Sequence, residues 1–142
     1  MLSTVKPDMT IFYQLLIDLP KNLKTDEEIL KHFSQSFYHI AEGEERKIFI
    51  DLMSQYSQRL KANTISVEES EEKMRKANPR FILRNYLLHQ AIEELEKGEN
   101  ILFEKLRIAL KDPYSNTNDE FFVKRPDWAS KKAGCSMLSC SS

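Results

Sequence analysis

The stretch Asn78-Pro79-Arg80-Phe81-Ile82-Leu83-Arg84-Asn85-Tyr86-Leu87-Leu88 carries the densest structural signal in the chain. It reads as a helix start. Asn78 can cap free backbone N–H groups, and Pro79 at the first helical position lacks an N–H that would go unpaired anyway. The pattern runs on to Glu96-Lys97-Gly98, where glycine permits the left-handed turn that ends a helix. Phe81, Leu88, Ala91, Ile92 and Leu95 follow the spacing of a core face, while Ile82, Leu83, Tyr86 and Leu87 fall on other sides. A helix apolar nearly all round at its first end has to be covered on several sides there. Arg84 lies within the apolar stripe. A buried guanidinium needs a carboxylate or several carbonyls, which makes Arg84 an internal tie; the alternative is an arginine snorkelling off the stripe's edge.

Working outward towards the N-terminus, three amphipathic segments come first. Asp8 to Leu19 places Phe12, Leu15, Leu16 and Leu19 on one face, with Pro20 just beyond. A capping box, Thr25 with Glu28, opens a second segment that buries Ile29, Leu30, Phe33, Phe37 and Ile40 before Gly43. Glu44 to Ala62 then carries Ile48, Phe49, Leu52, Met53, Tyr56 and Leu60. Short joints between them predict a small antiparallel bundle. A fourth helix starts at Ser66 and Glu69, a second capping box. Its i to i+4 pairs Glu69/Lys73, Glu71/Arg75 and Glu72/Lys76 suit a solvated strut, each contributing ~0.2–0.5 kcal/mol. The helix opened by Asn78 follows, and a last one starts near Glu99-Asn100 with Leu102, Phe103, Leu106 and Leu110 inward.

Helical periodicity stops after Lys111. The remaining stretch of about thirty residues is too long for an ordinary loop. Pro113-Tyr114, Phe121-Phe122-Val123 and Pro126-Asp127-Trp128 are aromatic anchors of the kind a merely solvated tail lacks, whereas Ser115 to Glu120 reads as flexible. Fully extended, the segment could reach on the order of 100 Å. The predicted fold is therefore all-α: about six helices in a small bundle over residues 1–111, then an extended tail over 112–142.

Composition narrows the function classes. Of 142 residues, 41% are hydrophobic and 30% charged, which fits a globular chain with enough length for a single core. Twenty-one bases against 22 acids leave a net charge of −1, giving no electrostatic case for nucleic acid or an anionic membrane. No apolar run approaches the ~20 residues of a membrane span. The N-terminus has neither a signal peptide's apolar core nor a transit peptide's arginines, so a cytoplasmic setting is the default. Gly-rich phosphate loops, nucleophile elbows and His-Glu-x-x-His motifs are missing from the sequence. His32, His39 and His89 read as structural. Asp119-Glu120, in a flexible loop, would lack the fixed geometry that acid–base chemistry needs. Cys135 and Cys140 stand out as thiols near the C-terminus; they are either incidental or a redox, disulfide-forming tail.

A family resemblance joins these pieces. The run from Asn78 and Pro79 through Arg84 and Asn85 to Leu87, then Gln90-Ala91-Ile92, Gly98, Pro113-Tyr114, Arg125-Pro126-Asp127-Trp128 and Ser139-Cys140-Ser141-Ser142, resembles the C-terminal end of the selenoprotein O family, called YdiU in bacteria. The resemblance is specific from Asn78 to Ser142, and the preceding residues fit the helical segment before that end. It implies a protein adenylyltransferase with a kinase-like fold that binds ATP with Mg²⁺ or Mn²⁺ and transfers AMP to Ser, Thr or Tyr hydroxyls. The family's catalytic residues lie in a core of several hundred residues ahead of this segment, so none is carried over and no cofactor is expected on this chain alone. Its implied partner is that kinase-like core. Cys140 aligns with a position that is selenocysteine or cysteine in the family and can form a disulfide with the core; Cys135 lies outside the signature and could pair with Cys140 instead. Two other readings stand beside this one: an independent helical interaction module, and a non-functional remnant of a split gene.

Overall fold

Thr25 shows how directly local sequence sets the architecture. Its hydroxyl accepts from the Glu28 N–H at 3.2 Å while the Glu28 carboxylate accepts from the Thr25 N–H at 3.1 Å, so both halves of the expected capping box form. In the computed structural model, which describes residues 2–19, 25–132 and 135, seven α-helical segments appear and no strand is found among those residues. They are α1 (Leu2–Val5), α2 (Met9–Ile17), α3 (Asp26–Phe33), α4 (Gly43–Lys61), α5 (Val67–Ala77), α6 (Asn85–Glu96) and α7 (Ile101–Lys111). Short 3-10 turns cover Ser34–Ser36, Asp119–Phe121 and Asp127–Ser130. The all-α expectation of about six helices holds, with α1 a single turn. The terminal Cys140 and the residues around it lie outside the described residues, as does Pro20.

The chain divides into two compact units, Met1–Asn78 and Pro79–Ser142, where its length alone suggests one core. In the first unit, Phe12, Phe33, Phe37 and Phe49 form an edge-on and tilted aromatic cluster with ring centroids 5.0–6.3 Å apart. The predicted start of α2 is confirmed by Asp8, whose Oδ1 accepts from the Ile11 N–H at 3.2 Å; its Oδ2 also takes the Tyr38 hydroxyl at 2.9 Å. The predicted length of the second segment is corrected. It leaves α-helix at Phe33, so Phe37 is buried but Ile40 is 81% exposed.

The Asn78 helix start is also corrected. Asn78 closes α5: its backbone N–H and side-chain amide both donate to the Met74 carbonyl, at 3.0 and 2.8 Å. Its own carbonyl accepts from Gln14 Nε2 at 2.8 Å. A residue before proline is pushed towards extended backbone, and Asn78 adopts φ −118°, ψ 108°. Residues 79–84 stay non-helical because the Arg80 and Phe81 N–H groups both donate to the Pro113 carbonyl, at 2.8 and 2.9 Å. Arg84 is then the N-cap residue of α6 and only half-buried, and its carbonyl accepts from Leu87 and Leu88. At the other end the expected stop forms. Gly98 takes φ +83°, its N–H donates to the Leu95 carbonyl, and the Glu99 N–H donates to that of Glu94, the paired bonds of a Schellman motif.

Candidate functional site

In the second unit the chain after α7 is strapped down along α6 and α7. The buried face of α6 differs from the stripe expected for it. Tyr86, Leu87 and Ala91 are buried, while Ile92 and Leu95, predicted inward, are each 44% exposed. Tyr86, Leu87 and Ala91 join Phe81, Leu106, Ala109, Phe121, Ala129 and Cys135 in one apolar core. The rings of Phe81 and Phe121 lie 5.4 Å apart. The segment Ser115–Glu120, expected to be flexible, is pinned. Arg80 donates to both Asp119 oxygens, at 2.6 and 2.9 Å, and its guanidinium lies 3.9 Å from the Phe122 ring centroid. Lys105 pairs with Glu120 at 2.9 Å, and Ser115 Oγ is 2.6 Å from Thr117 Oγ1. The hydrogen bonds from Arg80 hold the Asp119 carboxyl below its usual pKa.

Further along, Trp128 stands edge-on to Tyr86 at 6.0 Å, and Lys132 reaches back to Glu93 at 2.6 Å, 5.8 Å from the Trp128 ring. The Lys132 hydrogen bond draws the Glu93 pKa down. These contacts deliver Cys135 to the core, where it is 4% exposed, with its N–H on the Lys132 carbonyl at 3.2 Å. A thiol buried in the same apolar cluster as Phe81, Ala109 and Phe121 is shielded from reagents in water. Of the other residues the sequence singles out, Asn78 and Pro79 mark the boundary between units, Asn85 opens α6 and Trp128 anchors the tail. The structure brings Trp128 and Cys135 into one unit with Arg84 and Asn85; Cys140 lies outside the described residues.

Sequence patterning did not reveal an opening in the first unit. A cavity of about 320 Å³ lies among α2, α3, α4 and α5, lined by Leu16, Ile17, Met53, Tyr56, Leu60 and Met74 with a polar rim. Burial pushes the Tyr56 hydroxyl's pKa up, and that hydroxyl sits 3.6 Å from the Met74 sulfur. No residue of α5 is fully buried. Its predicted pairs Glu69/Lys73 and Glu72/Lys76 form, but Arg75 turns to Asp18 on the helix beside it.

The three histidines have neighbours of an ordinary kind. His32 Nε2 lies 2.8 Å from the Leu15 carbonyl, His39 2.8 Å from Glu45, and His89 3.6 Å from Glu93. Among the described residues no group of three His, Cys, Asp or Glu side chains could hold a metal ion. Nor is any helix among them long and apolar enough to cross a membrane.

The class defined by fold and site is thus an all-helical module whose C-terminal strap is fastened by aromatic and ion-pair contacts. No protein-family model and no solved structure matches the chain. Curated relatives do. It is 58% identical over 142 residues to the protein nucleotidyltransferase YdiU of Cytophaga hutchinsonii, 39% identical over 145 residues to that of Flavobacterium johnsoniae and 36% identical over 157 residues to that of Rhodopirellula baltica. These alignments take in 99–100% of this chain but only 27–29% of the relatives. The chain is therefore a relative of the YdiU protein nucleotidyltransferases and spans about a quarter of their length, consistent with a C-terminal segment.

Proposed function

We propose that this chain is the C-terminal helical module of a protein adenylyltransferase, inactive alone and serving as a structural cap for a kinase-like core. Full-chain similarity to about a quarter of each relative carries the reading. The second unit supports it with its exposed large apolar side chains: Ile101 is 67% exposed and Ile108 55%, as befits a surface that is covered in a larger body. In this reading ATP and Mg²⁺ or Mn²⁺ belong to the core, which transfers AMP to protein hydroxyls, and the whole works in the cytoplasm. On the same reading Cys140 serves as the redox tether; Cys135 is packed inside its own unit.

Incubating the purified chain with labelled ATP, Mn²⁺ and a protein acceptor is expected to leave the acceptor unlabelled. Transfer of AMP by the chain alone would refute the assignment.

A further inference from the structure

We infer that the cavity of the first unit is a receptor cleft for apolar side chains from the part of the YdiU relatives that this chain does not contain. The inference rests on the cap reading and assigns its docking point. At about 320 Å³ the cavity is roughly twice the ~150 Å³ void that a single large-to-small core substitution leaves dry and ligand-binding. It has room for a pair of large apolar side chains.

Its walls are built for such guests. Met53, Tyr56 and Leu60 project from one side of α4 at helical spacing, facing Val67 and Met74 of α5. Two methionines give a surface that adapts to the shape of an inserted side chain. The helix α5 contributes no fully buried residue, although Val67, Ser70 and Met74 all line the cleft. It is held at its far end instead, by Arg75 on Asp18 and by the Gln14 amide on the Asn78 carbonyl. A helix tied by polar contacts but left without a packed apolar face is short of a partner on that face. Lys61 and Glu71 on the rim carry opposite charges, so the opening favours no charged ligand and suits an apolar insertion with a polar collar.

The length of the relatives points to the occupant. Each contains roughly three quarters of a chain beyond the matched segment, and the match includes every residue of the cleft. A surface on that remaining portion, presenting leucine- or phenylalanine-like side chains from a helix or loop, fits the space.

The test titrates this chain against the Cytophaga hutchinsonii relative from which the matched segment has been deleted. Ser70→Leu fills the cleft from α5 and replaces a weaker helix former with a stronger one. It is expected to raise the melting temperature of the free chain while weakening binding at least tenfold, a combination that misfolding does not produce. Met74→Glu, at a half-buried position, is expected to weaken binding comparably. Lys47→Ala, at an exposed position of α4 outside the cleft, is expected to leave binding within about threefold. If Ile101→Glu, on the exposed apolar surface of the second unit, abolishes binding and the cleft variants do not, the cap reading stands and the cleft assignment falls. If the wild-type chain does not bind at all, both fall. Concentration-dependent dimerisation of the chain that Ser70→Leu abolishes would make a second copy the occupant and overturn the inference.

Discussion

Replacing Phe121 with alanine tests whether the residues after α7 are part of a core or merely rest upon it. Phe121 is 6% exposed, packs on Phe81 at 5.4 Å between centroids and belongs to the same buried cluster as Leu106 and Ala109. Truncating a buried phenylalanine costs about 3–5 kcal/mol, combining lost transfer energy with the cavity left behind. The low end applies here, about 3 kcal/mol, because the cluster borders solvent and can partly collapse. A unit of this size has roughly 3–10 kcal/mol of stability in total, so the loss is a large share. Trp128 is the sole tryptophan and stands against Tyr86, which makes its fluorescence a reporter for the second unit. With a urea dependence of about 1–1.5 kcal/mol per molar, the fluorescence midpoint of Phe121→Ala should fall by about 2–3 M. A shift under about 0.5 M would refute the packing described for the segment.

Two further predictions concern the same strap. Asp119 has a folded pKa below its unfolded value, so its pairing with Arg80 contributes stability above the ordinary aspartate range. That contribution is lost as pH falls through the folded value; Asp119→Asn should flatten the acid limb of a Trp128-monitored stability profile below about pH 4, and an unchanged limb would contradict the role given to the pair. Cys135, at 4% exposure, should react with an aromatic disulfide reagent at least tenfold more slowly in the native Cys140→Ser chain than in the same chain unfolded in urea. Equal rates in the two conditions would show that the core around Cys135 opens readily.

Local signals were legible where their partners are also local. The Thr25–Glu28 box, the Gly98 stop and the Glu72–Lys76 pair each close within a turn of helix, and each forms as its spacing predicts. The Asn78-Pro79 start failed because distant groups outbid it. The Pro113 carbonyl takes two N–H groups that a helix beginning there would have left free, and Asp119 takes the Arg80 guanidinium. With Phe81 outside the helix, Tyr86, Leu87 and Ala91 form its buried face, and Ile92 and Leu95 lie outward. Arg75 likewise chose Asp18 over Glu71, a contact that spacing along one helix does not encode. The cleft was illegible for a related reason: Leu60 reads as an ordinary core position and Met74 lies on the helix read as a solvated strut, and only the three-dimensional arrangement shows the space between them.

The central claim is that this chain completes a larger nucleotidyltransferase. Calorimetric titration of the intact chain into the Cytophaga hutchinsonii relative lacking its matched segment tests it most directly. The account predicts saturable one-to-one binding in the micromolar range or tighter, with a negative heat-capacity change from buried apolar surface. Absence of binding at concentrations well above that range, with both proteins folded, would contradict it.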